Sequence, residues 1–327
     1  MTAIAYPDID QTSATGTFRV EARSPDNGTI VQVDGTPTPS FGGRYGQEQR
    51  NFRYQLIQTD QNSVLWERWQ SPNEPSPRNL FVSDTGWVVI HCSEQISDSV
   101  YTISPSGEQT CVLQISPGFG DENLPMSVPG HAYYCSDRIA QSSLGISWMV
   151  GAIDYFLELD DSPHFVILMA WGDRILLNLT AGTLISPTVQ QASRCQRWER
   201  QLATTYLATL AQALTDAAPA TDPETQTFWQ QWPHLRGYLP VAVRTRAVAT
   251  LPYLHQIAQY RIVGSYSTCH GLPDDHNIQT HELRSLLKLA IRLLGEFPTE
   301  HSCYSFFRTD FTNDDDGTDI YYPLPDP

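Results

Sequence analysis

Short apolar segments separated by turn-forming residues occupy the first 185 positions of the chain. Val, Ile, Tyr, Phe, Trp and Thr dominate these segments, and Gly, Pro, Asn, Asp and Ser lie between them, a pattern typical of β-strands. No period of 3.6 residues interrupts the series, so we expect consecutive strands to pair antiparallel. The segments 146–160, 164–171 and 173–180 are strongly apolar, which predicts central strands covered on both faces.

One of these segments, residues 80–92 (LFVSDTGWVVIHC), predicts two strands joined by a tight turn. Residues 101–113 have the same form, with Gly107 in the position of Gly86. We expect both glycines to supply the positive φ that tight hairpin turns need. A β-propeller would require at least about four blades, repeating about every 40–45 residues, and the chain lacks that repeat. A sandwich or a strongly bent sheet is therefore favoured over a propeller.

Beyond residue 186 the apolar positions follow a helical period. Ser186 is expected to be an N-cap and Pro187 the first helical residue. Thr280 is expected to cap the most amphipathic helix, which Gly295 ends. The helical patterns extend over 188–217, 224–232, 240–261 with an interruption at Pro252, and 281–294.

The two patterns together predict an α+β protein in which an antiparallel β-rich part precedes an α-helical part. We place a β-rich domain at 1–185 and a helical domain at 186–310. Residues 311–327 form an acidic, proline-containing C-terminal tail. The division at 185 follows from the change in period at that point.

Charge and composition narrow the possible partners. The formal net charge is −16, and Lys288 is the only lysine. Phosphate-rich nucleic acids and anionic membranes repel such a chain, so we expect neither as a partner. The P-loop lysine motif is absent and no cofactor motif is complete, so no cofactor is expected. The chain starts without a signal-peptide pattern and its six cysteines are scattered, which predicts reduced thiols and a cytoplasmic protein.

The densest group of chemically versatile side chains lies in 265–282. Cys269 could act as a nucleophile, with His276 as its base and Asp275 orienting the imidazole. His270, His276 and His281 are alternative metal ligands, although their spacing matches no standard zinc pattern. A polar connection in which aspartates stabilise turns explains the same residues without chemistry. This region carries the alternative function, a Cys/His-dependent hydrolase or a metal-dependent enzyme.

Tryptophans supply the candidate binding residues. Trp66 and Trp69 lie in the β-rich part, and Trp229 and Trp232 lie in the helical part. Aromatic side chains are common anchors of protein interfaces. Because no complete catalytic constellation is visible, we favour a non-enzymatic protein-binding module of a cytosolic assembly. The acidic charge predicts a protein partner with a basic surface.

Overall fold

The fold was obtained as a computed structural model, and it is α+β. Strands dominate the first part of the described chain and helices the second. The described residues are 8–23, 30–32, 37–38, 48–49, 52–71, 74–93, 98–117, 128–136, 140–142, 145–147, 154–169, 174–217, 227–229, 235–267, 278–282 and 284–295.

Strands β1–β18 precede the first helix. They are β1 Ile9–Thr12, β2 Phe18–Arg23, β3 Ile30–Gln32, β4 Pro37–Thr38, β5 Glu48–Gln49, β6 Arg53–Gln58, β7 Ser63–Trp69, β8 Pro77–Val82, β9 Val88–Ser93, β10 Asp98–Ile103, β11 Gln109–Pro117, β12 His131–Ser136, β13 Ala140–Ser142, β14 Gly145–Ser147, β15 Tyr155–Leu159, β16 Ser162–Leu168, β17 Arg174–Asn178 and β18 Thr183–Ile185.

The remaining elements are helices with three strands among them. They are α1 Val189–Ala217, β19 Thr227–Trp229, α2 Leu235–Arg244, a 3-10 turn at Val248–Thr250, α3 Leu251–Ile257, β20 Arg261–Ser267, β21 Ile278–Glu282 and α4 Arg284–Gly295. Within the described residues, no helix combines the length and the apolar composition that a bilayer crossing requires.

Three larger sheets organise the β-rich part. The first has the strand order β1-β2-β6-β7, the second β12-β11-β10-β9-β8 and the third β15-β16-β17-β18. Smaller sheets contain β4-β3-β5, β13-β14 and β19-β20-β21. None of the sheets built from the described strands closes into a barrel.

The larger sheets and the helices pack as successive layers, as the alternation of buried side chains shows. On β9, Ile90 joins the core shared with the first sheet, whereas its neighbour Val89 joins the core shared with the third sheet. On β16, Phe165 faces the second sheet and Val166 faces the helices. The third sheet is therefore covered on both faces, as its apolar segments predicted, although β15 lies at the edge of the sheet and not in its centre.

The tight turns confirm the expectation for the glycines. Gly86 has a φ of 83° and Gly107 a φ of 89°, and each ends a Ser-x-x-Gly turn. Gly16, with a φ of 76°, ends a third turn of this form. In all three, the glycine N–H donates to the carbonyl oxygen of the serine three residues earlier.

Strand pairing departs from the antiparallel expectation at two places. β11 and β12 pair in parallel, from Val112 opposite His131 onward, and β19 pairs in parallel with β20. A parallel pair needs a longer connection than a hairpin, and 13 residues, 118–130, separate β11 from β12.

The helix predictions need four corrections. α1 begins at Val189 rather than Pro187, because Thr188 and Gln191 form a reciprocal cap in which each backbone N–H reaches the other's side chain. Residues 227–229 form β19 instead of a helix. The predicted helix 240–261 is divided into α2, α3 and the start of β20. The last helix begins at Arg284, after a strand that contains Thr280, rather than at 281.

The position of the predicted domain boundary coincides with the passage from β18 to α1. Side chains on both sides of it contribute to one core: Val166 and Leu176 of the third sheet pack with Leu207 of α1 and Leu239 of α2. The division into independent domains stays a prediction, which isolated fragments can test.

Candidate functional site

The strand β7 carries three of the seven large apolar side chains that are exposed in the described part of the chain. It is an edge strand that pairs only with β6 among the described strands. Trp69 is 54% exposed, Val64 50% and Leu65 44%. We call these three residues the β7 patch. Large apolar side chains that face solvent together on a sheet edge are typical of interaction sites.

A β-bulge explains why two consecutive residues of the β7 patch are exposed. The β6–β7 register shifts between Leu56 and Ile57, so that Leu56 lies opposite Trp66, Ile57 lies opposite Val64, and Leu65 is the extra residue. Trp66 points the other way: it is 8% exposed and belongs to the core between the first two sheets. The bulge therefore separates a buried anchor from an exposed surface within one strand.

A buried polar cluster supports β7 from the core side. Arg68 forms an ion pair with Glu74 and places its guanidinium 5.6 Å from the centre of the Tyr54 ring. Gln70 closes the end of the strand, since its side-chain oxygen accepts from the Phe52 N–H at 3.1 Å and its amide donates to the Glu74 carbonyl at 2.6 Å. These contacts fix the backbone on which Trp69 stands.

Burial governs the ionisation of this cluster. It raises the pKa of the Glu74 carboxyl, and the charge of Arg68 only partly offsets that effect. Burial also raises the pKa of the nearby Cys92 thiol. Because the thiolate is the reactive form of cysteine, Cys92 suits a structural role.

A second polar cluster joins the third sheet to the helices. The fully buried carboxylate of Glu199 on α1 accepts two hydrogen bonds from Arg174 of β17, at 2.6 and 2.7 Å. Arg244 of α2 donates to the same carboxylate, and the Tyr155 hydroxyl lies 3.0 Å from it. Burial alone would lower the pKa of Arg174, but its hydrogen bonds to Glu199 raise it. This arrangement links four elements and keeps the guanidinium charged.

A buried histidine links three strands of the second sheet. His91 Nε2 lies 3.0 Å from an oxygen of Asp98, and His91 Nδ1 lies 3.2 Å from the Asn79 amide nitrogen. If the amide donates to Nδ1, the ring proton on Nε2 is directed at the carboxylate. The imidazole and carboxylate are both buried, which suits a structural link between β8, β9 and β10.

The residues predicted as sites fall into three groups. Trp69 is exposed and Trp66 is buried, so only Trp69 of that pair can serve as a surface anchor. Trp229 ends β19, and His281 of β21 lies opposite Gly264 of β20. The other predicted site residues lie outside the described residues: Trp232, Cys269, His270, Asp275 and His276.

Val64 and Leu65 were missed as candidates in the sequence, although a signal was present. In the segment SVLWERW, three apolar residues stand in succession where a half-buried strand should alternate. A break in alternation inside an otherwise regular strand indicates a bulge. Within the described residues, no group of three His, Cys, Asp or Glu side chains is arranged to hold a metal ion.

Comparisons with known proteins assign no family. No family model matches the chain, and no curated protein matches it. A solved structure of a protein of unknown function from Bacteroides caccae, determined at 1.35 Å resolution, shows 12% sequence identity and a TM-score of 0.20. That match covers 55% of this chain and 56% of the other, so it spans little more than half of each protein.

Proposed function

We propose that this protein is a non-enzymatic protein-binding module of a cytoplasmic assembly and that it binds its partner through the β7 patch. The observation that carries the proposal is the exposure of Val64, Leu65 and Trp69 within one edge strand of seven residues. An exposed tryptophan on a rigid strand can bury a large area at little cost in conformational entropy.

The distribution of the other exposed apolar side chains supports this choice. Val128, Val189, Trp198 and Val248 are also exposed, but Val189 and Trp198 lie on opposite sides of α1, and the other two lie on separate segments. Single exposed apolar residues are common on protein surfaces and need no function. The β7 patch differs because three such residues lie within one strand.

The partner we propose has a basic surface. The formal net charge of −16 favours encounter with a positively charged protein, and such steering weakens as salt screens it. Binding should therefore be retained at moderate salt through the apolar contacts, while the association rate falls.

The test compares two exposed tryptophans. The unmodified chain is used to capture proteins from the native organism. Each captured protein is then purified and titrated with the unmodified chain, with Trp69→Ala and with Trp198→Ala. Trp69→Ala should weaken the complex at least about 30-fold, the loss expected for an interface hot spot of about 2 kcal/mol. Trp198→Ala, on α1, should leave the affinity unchanged.

Two further variants separate this function from the enzymatic alternative. Cys269→Ala and His276→Ala should keep the full affinity for the partner. If either variant abolishes a hydrolytic activity or a stoichiometric metal content while remaining folded, and Trp69→Ala has no effect on binding, the enzyme interpretation replaces the binding one.

A further inference from the structure

In the C-terminal half of β7, the backbone groups of alternate residues point away from β6. The Gln70 N–H donates to the Phe52 carbonyl at 2.8 Å, which places the backbone groups of residue 70 toward β6. Because these groups alternate along an antiparallel strand, the N–H and C=O of Trp69 and Glu67 point to the opposite side. No described strand pairs with that side of β7.

The side chains beside these backbone groups combine apolar and acidic character. Glu67 and Trp69 lie on the face opposite Trp66 and thus opposite the core. The Glu67 side chain is 40% exposed, lies 4.0 Å from Arg53 and accepts from the Gln55 amide at 2.6 Å. A strand added beside β7 would therefore meet a carboxylate flanked by exposed apolar residues.

We propose that the occupant of this edge is an extended, basic segment of another protein, which adds as a fifth strand to the first sheet and places a lysine or arginine opposite Glu67. This inference rests on the proposed function and names the way in which the partner binds. Backbone hydrogen bonds to Glu67 and Trp69 supply part of the affinity, and the apolar residues of the β7 patch supply the contacts.

Charge argues against two other occupants. Two copies of this chain each carry a net charge of −16, and a two-fold pairing of β7 strands centred on Glu67 would bring two glutamates together. The chain's own tail, 311–327, is rich in aspartate and would place like charges against the same side chain. A basic segment is attracted both by the net charge of the chain and by the Glu67 carboxylate.

The probe is a fluorescein-labelled peptide of about eight residues with alternating Lys and Val, long enough for one strand. Two analogues carry N-methyl groups, one on every lysine amide and the other on every valine amide. Only one set of amides faces β7 in a paired strand. One analogue should bind like the parent peptide, and the other should bind at least about tenfold more weakly, measured by fluorescence anisotropy.

Charge reversal on the protein provides the second arm. Glu67→Lys should weaken the Lys/Val peptide and strengthen a Glu/Val peptide, each by about tenfold at low salt. Glu158→Lys, at an exposed position of β15, is the matched control and should change neither affinity by more than about twofold.

Failure of this inference can be told from failure of the proposed function. Equal binding of the two N-methylated analogues, or no Lys/Val binding at about 1 mM, overturns strand addition. If Trp69→Ala still weakens the captured partner in that case, the proposed function stands. Tighter binding of the Glu/Val peptide or of a synthetic 311–327 peptide by the unmodified chain overturns the basic occupant. Self-association that Trp69→Ala abolishes assigns the edge to a second copy.

Discussion

The turn between β17 and β18 offers a sharp test of how the second and third sheets meet. Gly182 has a φ of 62°, and its carbonyl oxygen accepts from the Gly130 N–H at 3.2 Å. A Cβ at Gly182 would lie 3.0 Å from the Gly130 nitrogen and would press still more closely on the carbonyl oxygen of Thr110. Both neighbours are backbone atoms, which cannot rotate away as a flexible side chain would.

The cost of Gly182→Ala can be estimated against a matched glycine. Gly16 has a φ of 76°, and a Cβ there would meet nothing within 4 Å. The left-handed conformation costs an L-residue about 1–2 kcal/mol, and the stiffer unfolded chain returns about 0.4–1 kcal/mol. Gly16→Ala should therefore cost about 1 kcal/mol. The clash adds about 1–3 kcal/mol, so Gly182→Ala should cost about 2–4 kcal/mol.

Urea unfolding followed by tryptophan fluorescence measures both variants. The difference between their free energies of unfolding isolates the clash, because the two glycines share the same sign of φ. If Gly182→Ala is no more destabilising than Gly16→Ala, the turn at Gly182 does not pack against the backbone of Thr110 and Gly130 as described. A gain in stability in Gly182→Ala would refute the left-handed conformation as well.

Three other perturbations address the polar groups and the domain division. Glu199→Gln should lower the free energy of unfolding, measured in urea, by about 3–5 kcal/mol, because two guanidiniums lose their buried counter-charge. The exposed Glu158→Gln is the control and should stay within about 0.5 kcal/mol of the unmodified chain. Burial raises the pKa of Asp154 to about 7, although the Leu168 N–H partly offsets it, so the folded state favours the protonated form. The stability that the protonated Asp154 contributes is complete below about pH 4 and is lost as the pH rises through about 7. Asp154→Asn should therefore be more stable than the unmodified chain at pH 8, by up to about 4 kcal/mol, and equally stable below about pH 4. A difference in urea unfolding that does not depend on pH would contradict this. An isolated 1–185 fragment should keep β-type circular dichroism and bind the dye ANS, because the helix-facing side of the third sheet loses its cover; helical circular dichroism would contradict the division at 185.

The strand pattern was predictable where local physics decides it. The turn glycines and the doubly covered third sheet follow from short-range signals, namely positive φ in a tight turn and continuous apolar runs. Helix capping was predicted two residues too early because Ser186-Pro187 has the composition of a helix start, whereas the actual cap pairs Thr188 with Gln191.

The sequence prediction was wrong where pairing partners lie far apart in the chain. Residues 227–229 and 261–263 form a parallel pair, and each segment alone also fits a helical pattern. The partners of Glu199 lie 25 and 45 residues away, so no local motif announces that cluster. For the candidate site, composition indicated Trp69, but burial decides between Trp66 and Trp69, and burial depends on the register with β6.

Three other edges of the larger sheets carry features that discourage pairing. β1 is four residues long and contains the acidic Asp10, and β8 begins with Pro77. The carbonyl of Glu158 on β15 accepts a hydrogen bond from Arg194 of α1 at 2.9 Å. Short length, charge, proline and a covering side chain are recurrent means by which proteins avoid unwanted strand addition.

Apart from the charge of Glu67, β7 lacks this protection in its C-terminal half. Its bulge lies at Leu65 and disturbs the first part of the strand, but the register from Trp66 to Trp69 is regular. A long edge strand with an exposed tryptophan is a liability unless a partner covers it, and the protein blocks comparable edges elsewhere. The difference between β7 and the protected edge strands of the same chain favours a binding role for the edge of β7. It also predicts the effect of Leu65→Lys, which adds a charge to this edge without entering the core. Leu65→Lys should reduce partner binding by at least about tenfold and leave the free energy of unfolding within about 0.5 kcal/mol of that of the unmodified chain. Unchanged binding in a titration of the captured partner would refute the assignment of this edge.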